Sequence, residues 1–186
     1  EAIQSVVEEK KTHVPLDVVF TVEEELFLKG AKQFDVRKLR SRRCFSFDAG
    51  STVQDVCLRA PFLESIDIAV KGKSAHAGVA PENGLSAIRI ASEIIARLRL
   101  GRIDDETTTN VGMIDGGSVR NAVPAYCVIR GEARSKNKKK LLAIDARWKR
   151  EIAIIKRRYP GAKIITTVVR EFDGYRFSKN HPLVKT

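Results

Sequence analysis

Three consecutive carboxylates, Glu23-Glu24-Glu25, follow the mostly apolar run Asp17-Val18-Val19-Phe20-Thr21. Adjacent carboxylates at a strand end can divide labour: one ligates a metal while its neighbour takes a proton from metal-bound water. Acidic residues opening a helix are also favoured by the helix dipole, so the triplet alone leaves both readings open. Asp48 sits similarly, after Cys44-Phe45-Ser46-Phe47 and before Ala49-Gly50. It is a candidate second metal ligand, and equally a residue type that opens tight turns. Further on, His76 lies among small residues, Asn121 precedes Ala122-Val123-Pro124, and Arg134 ends a strand-like run. Taken singly, these types also suit loop, turn and surface positions.

The elements that must carry these residues fall into two regions. Residues 1–11 read as the end of a helix with Ile3, Val6 and Val7 as its apolar stripe. Residues 17–21 and 43–47 read as short buried strands of a parallel sheet, joined by a helix around 26–34. Both acidic groups would then emerge at the carboxyl edge of that sheet, where ligands gather in open α/β folds. From about residue 64 the rhythm changes. Residues 65–71 alternate apolar and polar, and Ala87, Ile88, Ala91, Ile94, Ile95 and Leu98 share one helical stripe. Residues 107–115 and 126–133 read as strands, and a last one spans 163–170. Between them Leu141, Ile144, Trp148, Ile152, Ile155 and Tyr159 recur at helical spacing. This β-α-β-β-α-β order predicts a ferredoxin-like unit with both helices on one sheet face. The expected class is therefore α/β, in detail α+β. Residues 1–63 are a partial α/β domain, 64–171 a complete small domain, and 172–186 the start of a return to the first.

Composition narrows the partners. No apolar run approaches the length of a membrane span, and the opening residues are acidic and amphipathic rather than signal-like, so no membrane association is expected. Three well-separated cysteines, Cys44, Cys57 and Cys127, suggest reduced thiols and a cytoplasmic setting. The net charge is +11, and residues 136–158 hold ten basic side chains against only Asp145 and Glu151. Such a run is either a solvated helix face or a surface for an acidic partner. RNA-recognition domains share the ferredoxin-like order but need stacking aromatics on central strands. Here the candidate strands offer only Tyr126, so nucleic acid is not an expected partner.

The motifs taken in order carry more than any one of them. Val19-Phe20-Thr21-Val22-Glu23-Glu24-Glu25, Gly30-Ala31 and Asp48-Ala49-Gly50 come first. Arg59-Ala60-Pro61, Ser74-Ala75-His76-Ala77-Gly78, Gly116-Gly117, Asn121-Ala122-Val123-Pro124 and Gly131-Glu132-Ala133-Arg134-Ser135 follow. This series resembles the peptidase T-like di-zinc exopeptidases, tripeptide aminopeptidase relatives in the aminoacylase/carboxypeptidase superfamily, over essentially the whole chain.

The resemblance implies a role for each residue. Glu24 would be the general base, Glu25 would ligate one zinc and Asp48 the other. His76 would reach from the lid domain to stabilise the oxyanion developing in a neighbouring subunit's site. Asn121 would contact substrate backbone, Arg134 would clamp a terminal carboxylate, and Gly116 and Gly117 would permit close backbone approach. A short peptide substrate and a homodimer formed through the lid are implied as well. Two departures stand out. The family's His-x-Asp motif, bridging Asp and later His find no counterpart in these residues, so the zinc site is expected to be incomplete. Phe27 also stands where a glycine is usual. The expected function is a fragment of a zinc-dependent exopeptidase acting on short peptides by metal-activated water. The alternative is a non-catalytic module for dimerisation and substrate recognition.

Overall fold

A computed structural model describes residues 2–10, 12–47 and 55–185. The elements in chain order are α1 (Ala2–Glu8), α2 (Lys29–Gln33), β1 (Arg59–Ala60), β2 (Phe62–Lys71), β3 (Ala75–His76) and α3 (Ala87–Arg97). Next come β4 (Gly101–Asp104), β5 (Thr107–Gly116), β6 (Ala122–Val123), β7 (Tyr126–Ser135) and α4 (Lys138–Arg158). The chain closes with β8 (Lys163–Phe172), β9 (Tyr175–Arg176) and α5 (Pro182–Lys185). They form two units, Glu1–Val56 with Pro182–Thr186, and Cys57–His181.

In the second unit five strands form one sheet in the order β4-β5-β7-β2-β8, every neighbouring pair antiparallel. Without β4 this is the expected ferredoxin-like arrangement. β4 escapes sequence reading because it is four residues long and its ladder with β5 is irregular between Arg102 and Asp104. The alternation of β2 aims Ile66, Ile68 and Val70 at the helices, and Cys127, Ile129 and Ala133 of β7 join them. Opposite stand Ile90, Ala91 and Ile94 of α3 with Leu141, Trp148, Ile152 and Ile155 of α4. Each large aliphatic side chain removed from water here contributes about 1.5–3 kcal/mol. The α3 stripe differs from expectation at two positions: Ile90 is buried and Ile88 is 40% exposed. The helix starts at Ala87, capped by the Ser86 hydroxyl accepting from Arg89 N–H, and that phase turns Ile88 outward. Gly131 lets β5 lie close to β7, since a Cβ there would come 2.6 Å from the Asn110 carbonyl oxygen, and it packs against the Trp148 ring.

The first unit departs further from the sequence reading. Residues 17–21 and 43–47 join no ladder, because a strand is held only by neighbours and none of the described residues supplies one. The Asp17 carboxylate instead accepts the Arg40 and Ser41 amide protons, both at 2.9 Å. The Ser41 amide is the main reason the Asp17 pKa falls below its ordinary value. The helix expected over 26–34 shrinks to α2, and α1 ends at Glu8. Glu23, Phe27 and Leu28 have φ of 56°, 58° and 61°, left-handed backbone that suits glycine and costs a bulky residue about 1–2 kcal/mol. Phe27 thus occupies, with strain, a position where glycine would be relaxed. None of the described residues 3–47 is buried, and Phe20 and Phe47 are 91% and 98% exposed.

Candidate functional site

One end of the second unit gathers four of the eight singled-out residues, His76, Asn121, Gly116 and Gly117. β3 pairs antiparallel with β6, setting His76 opposite Ala122, and Ala77 N–H donates to the Asn121 carbonyl at 2.9 Å. Two distant motifs therefore meet side by side. The Gly78 amide donates to His76 Nδ1 at 3.1 Å. That contact uses the Nδ1 lone pair, so the neutral ring carries its proton on Nε2, and Nε2–H is a donor. His76 itself is exposed.

Gly116 ends β5 and Gly117 follows it, both on the chain that leads to β6. Gly117 has φ +83°, and a Cβ on Gly116 would come within 2.8 Å of the Tyr126 carbonyl oxygen. The fold itself therefore demands both glycines. Between the loop 116–124 and the start of α3 at Ser86 and Ile88 lies an open groove of 570 Å³. Arg120 lines it and is exposed. Sequence reading passed over this cation. Its only signal is its place as the sole charge between Gly116-Gly117 and Asn121-Ala122-Val123-Pro124.

Arg134 lies elsewhere. On β7 it stands seven residues beyond Cys127, the partner of Gly116, which is about 23 Å along an extended strand. Its guanidinium forms a two-pronged pair with Glu132, Nε to Oε1 at 2.8 Å and Nη2 to Oε2 at 2.9 Å. That pair raises the Arg134 pKa.

The carboxylates belong to the first unit. Residues 24–27 form a turn in which Leu28 N–H donates to the Glu24 carbonyl at 2.8 Å. The Lys29 ammonium pairs with Glu23 at 2.8 Å. Glu24 and Glu25 have exposed side chains, and Asp48 lies outside the described residues. Among the described residues no group of three or more His, Cys, Asp or Glu could hold a metal ion. Zinc takes about four ligands, three of them protein groups in catalytic sites. The described residues do not meet that requirement by themselves.

Residues 63–160 match the model of the M20 peptidase dimerisation domain. Aminopeptidase PepT of Bacillus cereus superposes on 100% of the chain and 49% of its own length, at TM-score 0.79 and 34% identity. A tripeptidase of Staphylococcus aureus does so at TM-score 0.86 and 31% identity, again over 49% of its length. YqjE, an uncharacterised protein of Bacillus subtilis, is 42% identical over 73% of this chain and 36% of its own. An acetylornithine deacetylase of Proteus mirabilis is 24% identical over 99% of this chain and 50% of its own. The chain spans half or less of the length of each of these proteins, and the domain that fills most of it belongs to the M20 peptidase dimerisation-domain family.

Proposed function

We propose that the chain is the lid-bearing part of a zinc-dependent exopeptidase of the peptidase T kind, hydrolysing short peptides. The observation that carries this reading is the likeness to PepT and to the tripeptidase across the whole chain. Zinc is the metal implied, with Glu25 and Asp48 as this chain's ligands, Glu24 as proton acceptor, and the remaining ligands supplied by other parts of the enzyme. At the sheet end, His76 Nε2–H would donate to the peptide carbonyl oxygen and Asn121 would bind peptide backbone. Arg134 would take a terminal carboxylate only by releasing Glu132. Arg120, already lining the groove, is the readier cation for that charge. The free cysteines support a reducing, cytoplasmic setting.

The test is a chimera in which this chain replaces the matched half of B. cereus PepT. It should hydrolyse trialanine, and Glu24→Gln should abolish turnover with zinc content unchanged. A folded, zinc-loaded chimera inert toward every tripeptide would sink the reading. A second reading, a non-catalytic module for dimerisation and recognition, is favoured by the lack of a three-donor group among the described residues. It requires the isolated chain to form dimers in light scattering while taking up no zinc.

A further inference from the structure

The net charge is unevenly shared between the two units. Residues 57–181 carry 24 Lys and Arg against 13 Asp and Glu, so the whole excess of +11 belongs to the second unit. Within its helix layer the carboxylates are already engaged. Glu93 pairs with Arg158 at 3.0 Å and accepts from the Tyr159 hydroxyl, Glu151 pairs with Arg97 at 2.8 Å, and Asp145 pairs with Lys149 at 2.7 Å. The side chains of these three acids are only 23%, 22% and 18% exposed. Lys140 is tied to Asp104 and Glu106.

Six cations of α4 are left over. Lys138, Lys139, Arg147, Arg150, Lys156 and Arg157 are exposed and, within the described residues, form no ion pair. Lys139, Arg150 and Arg157 are separated by three and two helical turns, so they share one ridge, with Arg147 on its flank. From Lys139 to Arg157 the ridge runs about 27 Å. Ala143 and Ala146 are exposed between the cations, Leu142 is half-exposed at their side, and no aromatic residue lies on this face. The first turn of α4 holds Lys138, Lys139 and Lys140 and no acidic residue. Those charges sit at the positive end of the helix dipole, where a nearby anion is stabilising.

We propose that this outer ridge of α4 docks duplex nucleic acid through its phosphates. The occupant follows from charge complementarity and from what the ridge lacks. The ridge has no aromatic residue of the kind that anchors a protein interface, and membrane-surface helices need a free apolar face, whereas the large apolar side chains of α4 are in the core apart from the half-exposed Leu142. Phosphate contact needs only spaced, unpaired cations. A single exposed aromatic on the candidate strands, Tyr126, disfavours single-strand binding on the sheet, which is a different surface. The proposal is independent of the peptidase reading.

The experiment is fluorescence anisotropy of the full chain with a labelled DNA duplex of about 20 bp, between about 50 and 200 mM salt. Binding should weaken linearly on a log–log plot, by about 0.9 in slope per phosphate contact. Arg147→Ala/Arg150→Ala/Arg157→Ala should lower that slope by about 2–3 and weaken binding at least about tenfold at low salt, with helix content retained. Lys139→Glu gives an independent check in the same direction. Lys71→Ala/Arg130→Ala, on the opposite sheet face, should change nothing. No binding at about 50 mM salt, or equal binding by the triple variant, overturns the proposal. Tighter binding of polyglutamate, or of anionic vesicles, than of duplex also overturns it and assigns the ridge to an acidic protein or to a membrane.

Discussion

At the scale of single residues, the sheet-end cluster was legible as a set of motifs but not as a place. His76 and Asn121 stand out in the sequence because small residues and a Val-Pro step surround them. What joins them is a ladder of two residues per strand, too short to leave an alternation pattern. Arg120 was invisible because nothing periodic marks it; only the groove gives it meaning. This leads to a comparison between two arginines in the PepT chimera. Arg120→Ala should raise KM for a tripeptide with a free carboxylate about tenfold and leave the C-terminally amidated peptide unaffected, since one charge-assisted hydrogen bond is worth roughly 1.5–3 kcal/mol. Arg134→Ala should have the smaller effect, because its guanidinium is spent on Glu132. The reverse ranking in steady-state kinetics would return the clamp to Arg134. His76→Ala should lower kcat more than it changes KM, as befits a donor that strengthens when charge develops on the carbonyl oxygen. A change confined to KM would reduce His76 to a binding contact.

At the scale of elements, legibility tracked how locally each element is held. The five buried side chains of α4 fall on the stripe its sequence displays, because a helix satisfies its own backbone and needs only one apolar face. The runs 17–21 and 43–47 look like strands, yet a strand cannot exist without a partner, and composition says nothing about partners. The start of α4 offers a direct test. Asn137 Oδ1 accepts from the Lys139 and Lys140 amides at 2.9 and 3.4 Å, so Asn137→Ala should cost about 1 kcal/mol in urea unfolding. The neighbouring ion cluster gives the expected pH dependence. Glu106 sits below its ordinary pKa, chiefly through the Lys140 hydrogen bond and then that of Arg59. Asp104 is lowered mainly by the Glu106 amide. Lys140 is raised by Glu106 and Asp104 in turn. For the lowered acids, the folded state binds fewer protons than the unfolded one. Their contribution is full above the ordinary carboxylate range and is lost as pH falls through the folded values. For Lys140 it is full below the ordinary lysine range and lost as pH rises beyond it. Glu106→Gln should therefore flatten the acid limb of the midpoint-versus-pH curve; an unchanged acid limb would show that the cluster contributes nothing.

At the scale of the whole molecule, the two units differ in what holds them. The second has a continuous core from Ile66 on β2 through Ile129 on β7 to Trp148 and Ile155 on α4. In the first, no described residue from 3 to 47 is buried, and its tethers are exposed ones such as Asp17 to the Arg40 and Ser41 amides. Stability is a local property, and backbone hydrogen bonds open at a cost set by the apolar surface that covers them. Hydrogen exchange on the isolated chain should accordingly split in two. Amides of the β2–β7 ladder, from Ile66 to Val70 and from Cys127 to Ala133, should exchange only through global unfolding of their unit. Amides of residues 17–21 and 43–47 should exchange close to the free-peptide rate. Denaturant should then report one cooperative transition, with a slope matching the surface of the second unit alone. Slow exchange at residues 17–21 would mean that these apolar side chains find cover in solution, and a second copy of the chain would then be the first partner to look for. If those amides are fast, the exposed Phe20 and Phe47 mark apolar surface open to a partner, which under the proposed function is the remainder of the enzyme.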